Sequence, residues 1–503
     1  MNSLKKITIV GGGTAGWIAA AVLCNQFSPE ELTVELVESE AIGTIGVGES
    51  TIPPFLELLH SLNIDEKDFI QKTQASFKLG IEFSDWKQRG KSYFHPFGSI
   101  SANMDEYVFY QNWLKSCSKG DDFALQDFSA CSVMAKHQKF FLPQGASKTP
   151  VSEARYALHL DANLVARYLR EYSEQRGVKR TEGKVVRVHQ KDSGHIRAVQ
   201  LQDGREITGD FFIDCSGFRG LLIEQTLQAG YEDWSHFLPC DRAIAIQTEN
   251  VSAPPPYTRA TAQPAGWSWK IPLQHRTGNG YVYASEYCSD DEAIDTLMAQ
   301  LEGRPLTDPR VIPFQTGMRR EIWKGNCLAL GLASGFIEPL ESTAIHLIAR
   351  GMVHFMRHFP ERDCQPVLAQ EFNRRMAMDY EEIRDFIVLH YCLTQREDTA
   401  FWRWCKNMTL PDSLRQTLDY FQAQGGLPES MDPLFAPVSW RSVCEGMGLR
   451  PASYSPLINS FDYNTTRAHL LNYRQALEDF IQQLPDHQSF ILKNCPSEKP
   501  MAA

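Results

Sequence analysis

Three short segments hold the side chains that could carry out chemistry. Lys78 lies in the apolar stretch 77–81, where its ammonium must either reach water along its apolar stem or serve a purpose. Glu338 and Glu341 come just before residues 342–344, where a helix is predicted to begin with unpaired amides that favour an anion. A lysine, a carboxylate and an anion site together support nucleophilic or acid–base chemistry. The ordinary alternatives are a solvated lysine and a surface or helix-capping carboxylate.

The N-terminal segment predicts a βαβ unit that positions a nucleotide. An apolar strand over 7–10 runs into the glycine turn 11–16, and a helix over 17–24 and a second strand over 32–37 follow. This order of strand, turn and helix places a pyrophosphate at the N-terminus of the helix.

Each glycine of the turn has a mechanical reason. Gly11 permits the tight turn, Gly13 lets the pyrophosphate approach the backbone, and Gly16 lets the helix pack on the strand. Glu38 follows Gly16 by 22 residues and is placed to accept a hydrogen bond from a ribose hydroxyl. The sequence therefore predicts a dinucleotide site.

Two later strands favour FAD over NAD. Residues 210–217 form an apolar strand that ends in a small-residue turn and resembles the FAD-dependent hydroxylase fold. Residues 327–332 resemble the strand of that fold that approaches the ribityl chain. Leu332 stands where hydroxylases usually have an acid, which removes one expected hydrogen bond. The alternative for each strand alone is buried structure without a ligand.

Taken together, these segments resemble the flavin-dependent tryptophan halogenases, from Ile7 to roughly Trp404. The strings that carry the resemblance are 48–53, 77–80 with 83–86, 94–98, 266–272 and 335–345. The resemblance implies an α/β fold like that of FAD-dependent hydroxylases, in which a Rossmann-type FAD-binding module contains an inserted substrate-side sheet. A mainly helical C-terminal region follows it. We expect the first module over 1–345 and the helical region, which completes the substrate pocket, over 346–503.

The resemblance also implies an activity, that of an FADH2-dependent halogenase acting on an indole-type ring. A separate flavin reductase supplies FADH2, which reacts with oxygen to a flavin hydroperoxide that converts chloride or bromide into hypohalous acid. Lys78 holds this acid by a hydrogen bond or as a haloamine, and Glu341 stabilises the ring cation and takes the ring proton. Glu338 is the rival, but the family pattern has the acid immediately before Ser-Thr. The runner-up is an FAD-dependent aromatic hydroxylase, a monooxygenase, and a third reading is a non-catalytic FAD-binding protein.

Further site residues follow from the same resemblance. The resemblance implies that Thr343 and Ala344 hold the halide, with alanine where glycine is common. It implies that His95 and Phe97 stack on the indole. Trp267 and Trp269 lie on one face of a strand and are expected to separate flavin from substrate. The expected FAD contacts are Gly11, Gly13, Thr14, Ala15, Gly16, Glu38, Ser39, Ile42, Glu49, Ser50, Val185, Leu332 and Ile345. No metal-ligand spacing is present, so no metal is predicted.

The resemblance weakens where it would name the substrate. Enzymes of this family that act on free tryptophan carry a tyrosine pair and a downstream glutamate that grip the amino acid. Residues 439–446 correspond to that stretch here and lack the paired hydroxyls. A site built around a carboxylate and an ammonium fails when its partners are missing. We therefore expect indole, a substituted indole or a larger indole product.

Composition limits the partners. The 503 residues carry a net charge of -11, which argues against nucleic acid and anionic membranes, and no apolar run approaches the length of a membrane span. The twelve cysteines form no Cys-x-x-Cys pair, so we expect reduced thiols, and the strand at 7–10 leaves no room for a signal peptide. A cytoplasmic enzyme fits these features, and homodimers are common in the family.

Periodicity predicts the remaining elements. Strands are expected over 185–188 and 195–201 as a pair, and over 243–249, 267–271 and 281–285 in the substrate-side sheet. Helices are expected over 161–177, 346–358, 368–393, 414–424 and 468–483. The turn at 203–204 is expected to lead directly into the strand that ends at 214. Five prolines between 428 and 456 predict an irregular stretch. Residues 493–503 are expected to form a frayed tail.

Overall fold

A computed structural model describes residues 3–40, 48–142, 149–429 and 432–497 of the protein. The helices in these ranges are α1 (Thr14–Gln26), α2 (Pro54–Ser61), α3 (Glu66–Thr73), α4 (Glu106–Ser118), α5 (Ala130–Lys136), α6 (Ala162–Glu174), α7 (Asp290–Met298), α8 (Ala344–Arg357), α9 (Pro366–Cys392), α10 (Ala400–Lys406), α11 (Asp412–Gln424), α12 (Pro437–Met447), α13 (Tyr463–Gln482) and α14 (His487–Asn494). No helix among the described residues is long and apolar enough to cross a membrane.

The strands are numbered in chain order. They are β1 (Lys6–Val10), β2 (Thr33–Glu38), β3 (Gly48–Ser50), β4 (Ser76–Lys78), β5 (Gly80–Ser84), β6 (Ser92–Pro96), β7 (Ala157–Asp161), β8 (Lys179–Glu182), β9 (Val185–Gln190), β10 (Ile196–Leu201), β11 (Glu206–Thr208), β12 (Phe211–Asp214), β13 (Tyr231–Asp233), β14 (Arg242–Thr248), β15 (Thr258–Gln263), β16 (Gly266–Pro272), β17 (Thr277–Tyr283), β18 (Arg310–Pro313), β19 (Gly317–Arg319), β20 (Trp323–Lys324), β21 (Cys327–Ala329) and β22 (Gly335–Phe336).

A six-stranded sheet forms the nucleotide-binding module. Its order is β20-β21-β12-β1-β2-β8, and every pair is parallel except β20 with β21. Helix α1 follows β1 and is buried over most of its length, in contact with α6 and α8. Parallel neighbours joined through a helix need this crossover arrangement. The predicted α/β architecture is confirmed, with the strand that ends at Asp214 as expected, whereas the strand predicted over 327–332 ends earlier, at Ala329.

The predicted strand pair in the second module is also present, with one correction. β9 and β10 pair antiparallel, but the turn at 203–204 leads first into β11, which pairs with β10, and only then into β12. The sequence prediction missed β11 because this strand has only three residues, of which only Ile207 is apolar.

The inserted substrate-side sheet has seven strands, in the order β18-β14-β17-β16-β15-β5-β6. β14 and β16 match the strands predicted over 243–249 and 267–271 to within one residue, whereas β17 begins four residues before the predicted start at 281 and ends two residues before the predicted end at 285. β5 joins the sheet by pairing parallel with β15. All seven residues of β17 are buried, as expected for a strand covered on both faces.

A small sheet, β3-β7-β4, connects the two larger parts. β7 pairs antiparallel with β3 on one side and with β4 on the other, so that Glu49 lies opposite Leu160 and Lys78 lies opposite Ala157. The segment expected along the flavin and the strand of the candidate lysine are therefore fixed to one common strand.

From residue 344 the chain is mainly helical, with two departures from expectation. Helix α12 lies inside the stretch predicted to be irregular, because Pro437 occupies the first turn, where a missing N–H costs the helix no bond. The described part of the tail is anchored. Cys495 is buried and its carbonyl accepts from Gln274 at 3.2 Å, while Ser497 donates from its amide to Gln274 at 2.7 Å.

Candidate active site

The turn after β1 is closed by contacts that leave no space for side chains. A Cβ on Gly11, which has φ of +118°, would lie 2.2 Å from the Cys215 carbonyl oxygen, and one on Gly16 would lie 1.9 Å from the Gly11 carbonyl oxygen. Gly13 caps α1 without a side-chain hydrogen bond, and the first turn of α1, which begins with Thr14 and Ala15, contains no acidic residue. The N-terminus of α1 is therefore open to an anion such as a pyrophosphate.

Glu38 ends β2 directly beside this turn. A Cβ on Gly12 would overlap the Glu38 carboxylate, and Arg180 on β8 donates a hydrogen bond to Glu38 Oε1. The amide of Gly183 donates to the Glu38 carbonyl at 2.8 Å, and Val185 begins β9 two residues later. Glu38 and the segment that leads into Val185 are thus hydrogen-bonded to each other at the β2–β8 edge of the sheet. This edge lies next to the glycine turn, where the ribose of a bound dinucleotide is expected.

The next expected flavin contacts lie before, within and after residues 41–47, which are outside the described residues. Ser39 is half-buried after β2, and Ile42 lies outside the described residues. Glu49 and Ser50 belong to β3, and Ser50 Oγ is 3.1 Å from Thr258 Oγ1 on β15. These residues connect the FAD-side strand to the substrate-side sheet.

The two remaining cofactor residues flank the turn after β21. Leu332 lies in a short 3-10 helix, Gly331–Ala333, and a Cβ on Gly331 would lie 2.9 Å from Ala15 Cβ on α1. Ile345 is buried in the first turn of α8, which packs against α1. These contacts bring the segments that follow β1 and β21 next to each other.

Lys78 is fully buried and contacts residues from three of the segments that resemble halogenases, 48–53, 94–98 and 335–345. Its Nζ donates to the Thr51 carbonyl at 3.1 Å and to Ser342 Oγ at 2.9 Å, and it lies 5.1 Å from the ring centre of Phe97. Burial lowers the pKa of Lys78 to about 7, although the charge of Glu341 acts in the opposite direction. The alternative of a solvated lysine is therefore excluded.

Glu341 is equally buried and contacts two histidines. His95 Nδ1 donates to its carboxylate, at 3.0 Å from Oε1 and 2.9 Å from Oε2, and His390 Nε2 lies 2.8 Å from Oε1. Burial raises the pKa of a carboxyl, but the two imidazoles more than offset it and lower the pKa of Glu341 to about 2. Glu341 is neither at the surface nor a helix cap.

Glu338, the rival carboxylate, lies in a different environment. Its side chain is fully buried and neither carboxyl oxygen has an aligned hydrogen bond among the described residues. Burial raises its pKa to about 7, and Tyr391, Trp267 and Cys240 oppose that rise only in part. Glu341 is therefore the carboxylate that is reliably ionised at neutral pH.

The helix start after Glu341 has the features of an anion site. Ser342 has φ of +63° and turns the chain, Thr343 caps α8 without a side-chain hydrogen bond, and no acidic residue lies in the first turn. Thr343 Oγ1 is buried and has no partner among the described residues. Together with the amides of Thr343 and Ala344, it offers donors to a halide.

His95 and Phe97 contact two different candidate groups. His95 lies on β6 and binds Glu341, while Phe97 follows that strand and covers Lys78. Helix α9 adds Phe386, whose ring centre is 5.6 Å from that of His95, and α12 adds Trp440, 5.1 Å from Phe386. The predicted aromatic shelf thus continues into the helical region.

The two tryptophans of β16 form a continuous buried surface. Trp267 and Trp269 have ring centres 6.1 Å apart, and a Cβ on Gly280 would overlap the Trp269 ring. Both indole Nε1 atoms are buried without an aligned hydrogen bond among the described residues. Their role as a wall between flavin and substrate stays a prediction.

Comparison with known proteins decides the family. The tryptophan halogenase model matches residues 6–463. The chain is 34% identical to a tryptophan 6-halogenase from Streptomyces toxytricini over 96% of this chain and 97% of that one. Flavin-dependent halogenases from Xanthomonas campestris and Brevundimonas sp. BAL3 superpose with a TM-score of 0.95 at 44% and 41% identity, covering 99% of this chain and 100% of theirs. This chain belongs to the tryptophan halogenase family.

The halogenase is an enzyme that uses FADH2 and a halide. The described residues fit this cofactor. The glycine turn admits no Cβ at Gly11 or Gly16, α1 presents an uncapped N-terminus, and Glu38 lies beside the same turn. They also fit the halide, because the start of α8 combines an uncapped N-terminus with the unpartnered hydroxyl of Thr343.

Sequence reasoning missed three groups of the halogenase site. His390 contacts Glu341, Ser342 Oγ binds Lys78, and Phe386 extends the aromatic shelf. The only sequence signal for His390 was a single histidine within the apolar stretch 386–393 of a helix. Such a histidine is more often buried structure than part of a site, so the signal was insufficient.

Proposed function

We propose that this halogenase replaces a ring hydrogen of an indole-type substrate with bromine or chlorine. The observation that carries the proposal is that Lys78 and Glu341 are both fully buried and are joined through Ser342. One lysine that holds the halogen donor and one carboxylate that takes the proton are the two groups that electrophilic ring halogenation needs.

The residues divide the reaction between them. FADH2, when bound, supplies together with oxygen the chemistry that oxidises the halide to hypohalous acid. Thr343 and Ala344 hold the halide through the N-terminus of α8. Lys78, as an ammonium, binds hypohalous acid next to the ring. There a carbon–halogen bond forms, the halogen–oxygen bond breaks, and the hydroxide takes a proton from the ammonium and leaves as water. Glu341 receives the ring proton.

Lys78 has two ways to hold hypohalous acid. With a pKa of about 7, both the ammonium and the amine are present at neutral pH. The ammonium donates a hydrogen bond to the oxygen and polarises the halogen, whereas the amine bonds to the halogen as a haloamine and releases water. The first route weakens as pH rises through 7, and the second strengthens.

The low pKa of Glu341 suits its role. A ring cation formed by halogen addition is a strong acid, so even a weak base removes its proton. What matters more is that the carboxylate stays ionised and fixed beside the developing positive charge. Two histidine contacts, at 2.9 Å and 2.8 Å, keep Glu341 in that state.

The residues of helix α12 favour an indole-type substrate that lacks the carboxylate and ammonium of a free amino acid. Trp440 packs against Phe386, with ring centres 5.1 Å apart. Arg441, the only cation of 439–446, donates to Glu106 at 3.0 Å. A substrate carboxylate would need a cation that is not already paired. Bare or substituted indole, or a larger indole product, therefore fits better than free tryptophan.

The proposal includes a separate flavin reductase as the source of FADH2, because the sequence contains no nucleotide motif beyond the glycine turn. A cytoplasmic location fits the same reading. The division into an FAD-binding module over 1–345 and a helical region over 346–503 is also part of the proposal.

One incubation separates this function from its alternatives. The protein is mixed with FADH2, oxygen, bromide and indole, and the products are analysed by mass spectrometry. Exchange of hydrogen for bromine supports halogenation, a gain of one oxygen supports the hydroxylase, and neither product supports a binding protein. Parallel runs with chloride measure the halide preference.

A further inference from the structure

His390 is an ionisable group of the site to which the proposed mechanism assigns no step. It lies on α9, is fully buried, and its ring is surrounded by Phe83, Trp86 and Phe386, with ring centres 4.7, 6.1 and 5.3 Å away. Two polar contacts of its ring are found in this apolar setting. Nδ1 lies 2.8 Å from the Phe386 carbonyl oxygen, and Nε2 lies 2.8 Å from Glu341 Oε1.

The first contact fixes the hydrogen on Nδ1. A carbonyl oxygen only accepts hydrogen bonds, so Nδ1 must be the donor. In a neutral imidazole the other nitrogen, Nε2, then has a lone pair and no hydrogen. Two lone pairs, on Nε2 and on an ionised Oε1, repel each other at 2.8 Å. The contact is attractive only when a proton lies on one of the two atoms.

The surroundings indicate which atom carries it. Among the described groups, Tyr93 lies close enough to feel the charge of Glu341. Glu341 also accepts from His95 through both oxygens, and its charge interacts with that of Lys78. These contacts stabilise the ionised carboxylate. The Nε2 contact, at 2.8 Å, is within ion-pair distance, although it is not aligned as a full hydrogen bond.

We propose that His390 is a positioning residue that carries protons on both ring nitrogens and, as an imidazolium, keeps Glu341 ionised and turned towards the substrate. The inference rests on the proposed function, since it assigns the partner of the carboxylate that takes the ring proton. The bond to the Phe386 carbonyl fixes the ring plane, and the charge on Nε2 fixes the carboxylate. His95 is then free to combine its hydrogen bond to Glu341 with contact to the substrate ring.

Two substitutions separate the position of His390 from its charge. His390→Asn keeps an amide near Nδ1 for the Phe386 carbonyl but has nothing at Nε2. His390→Gln reaches the Nε2 position with a neutral donor. We expect His390→Asn to lower the amount of brominated indole per FADH2 oxidised by roughly tenfold or more, which is less than the roughly 10²- to 10⁴-fold effect of a general base, because Glu341 itself remains. His390→Gln should fall between His390→Asn and the wild type.

The pH profile tests the charge itself. In His390→Asn, Glu341 loses its cation and becomes protonated at higher pH, so product per FADH2 should decline more steeply from pH 8 to pH 5.5 than in the wild type. His354→Gln is the matched control, because His354 is also buried and its Nε2 lies 3.1 Å from a carboxylate oxygen, that of Asp379. It should leave the profile unchanged. Equal yields or parallel profiles in wild type and His390→Asn overturn the inference.

A spectroscopic measurement tests the inference even without turnover. In protein labelled with ¹⁵N-histidine, the His390 signals are those lost in His390→Gln. Two protonated nitrogens at pH 7 support the proposal, and one protonated nitrogen rules it out. If the wild type does not brominate indole, the proposed function fails, whereas a productive wild type with a neutral His390 contradicts only this inference.

Discussion

Lys78 and Glu341 are both fully buried, but their partners differ in kind. Among the described residues Lys78 donates to neutral oxygens, of Thr51 and Ser342, and burial lowers its pKa to about 7 against the opposing charge of Glu341. Glu341 faces two imidazoles, which lower its pKa to about 2 despite burial. At neutral pH the carboxylate is therefore constantly ionised, while the lysine exchanges between amine and ammonium.

Replacing Lys78 tests the division of labour directly. Lys78→Ala should abolish bromination of indole while oxidation of FADH2 continues, because the alanine no longer holds hypohalous acid at the ring. The two rates are measured together, as brominated product and as flavin absorbance. A product yield equal to the wild type would remove Lys78 from the mechanism.

A second buried lysine provides the control. Lys115 donates to the carbonyls of Ile458 and Phe461, at 3.1 and 2.9 Å, outside the site. Lys115→Ala leaves those acceptors unsatisfied and should lower stability by roughly 1–3 kcal/mol. Product per FADH2 oxidised should nevertheless stay at the wild-type value.

The two glutamates should respond differently to loss of charge. Glu341→Gln keeps the shape but removes the ionised carboxylate, and we expect kcat to fall by roughly 10²-fold or more. Glu338→Gln should lose less, because burial raises the pKa of Glu338 to about 7 and it lacks a basic partner in the described residues. Single-turnover bromination measures both. The opposite ranking would identify Glu338 as the base.

At the level of elements, the sequence predicted what depends on local pattern. The glycine turn and its flanking strands follow from periodicity and from contacts that only glycine tolerates, such as Gly16 against the Gly11 carbonyl. The pairing of Lys78 with the segment of Glu341 came from the resemblance instead. No local pattern connects residues 263 positions apart.

Elements that depend on tertiary packing were missed. Helix α12 was predicted as irregular because Pro437 was read as a breaker, although a proline in the first turn is compatible with a helix. The His390 contact joins α9 to the segment before α8 across 49 positions, and a helical pattern does not tell which buried side chain faces a carboxylate. The tail was read as frayed because its contacts with Gln274 are not visible in its composition.

Helix α12 also carries the prediction on substrate choice. Its Trp440 extends the aromatic shelf, and its Arg441 is paired with Glu106, so a flat ring gains contact while an amino-acid carboxylate finds no cation there. Indole should therefore have a higher kcat/KM than tryptophan. A preference for tryptophan by roughly tenfold, about 1.4 kcal/mol in transition-state binding, would mean that another residue grips the amino acid.

At the level of the whole molecule, the small sheet β3-β7-β4 positions the segment expected to contact FAD relative to the strand that carries Lys78. β3 carries the FAD-side residues Glu49 and Ser50, β4 carries Lys78, and both pair with β7. The residues proposed to contact FAD and the proposed catalytic lysine are thus attached to one hydrogen-bonded sheet, which restricts their relative motion. Accurate placement of a reactive species depends on such rigidity.

This arrangement has a stability cost that depends on pH. The folded protein lowers the pKa of Lys78 from 10.5 to about 7, so between these values the unfolded chain binds more protons than the folded one. Stability from this group therefore rises with pH across that window, by up to about 1.4 kcal/mol per unit.

Lys78→Met lacks this slope. Its stability relative to the wild type, from urea unfolding, should be highest near pH 7 and should decline towards pH 9. Glu338→Gln is the control of opposite sign, because a carboxyl pKa raised from 4.5 to about 7 makes the wild type lose stability as pH rises through that range. A gap between Lys78→Met and wild type that stays constant from pH 7 to 9 would mean that Lys78 keeps its ordinary pKa and enters the reaction only as an ammonium.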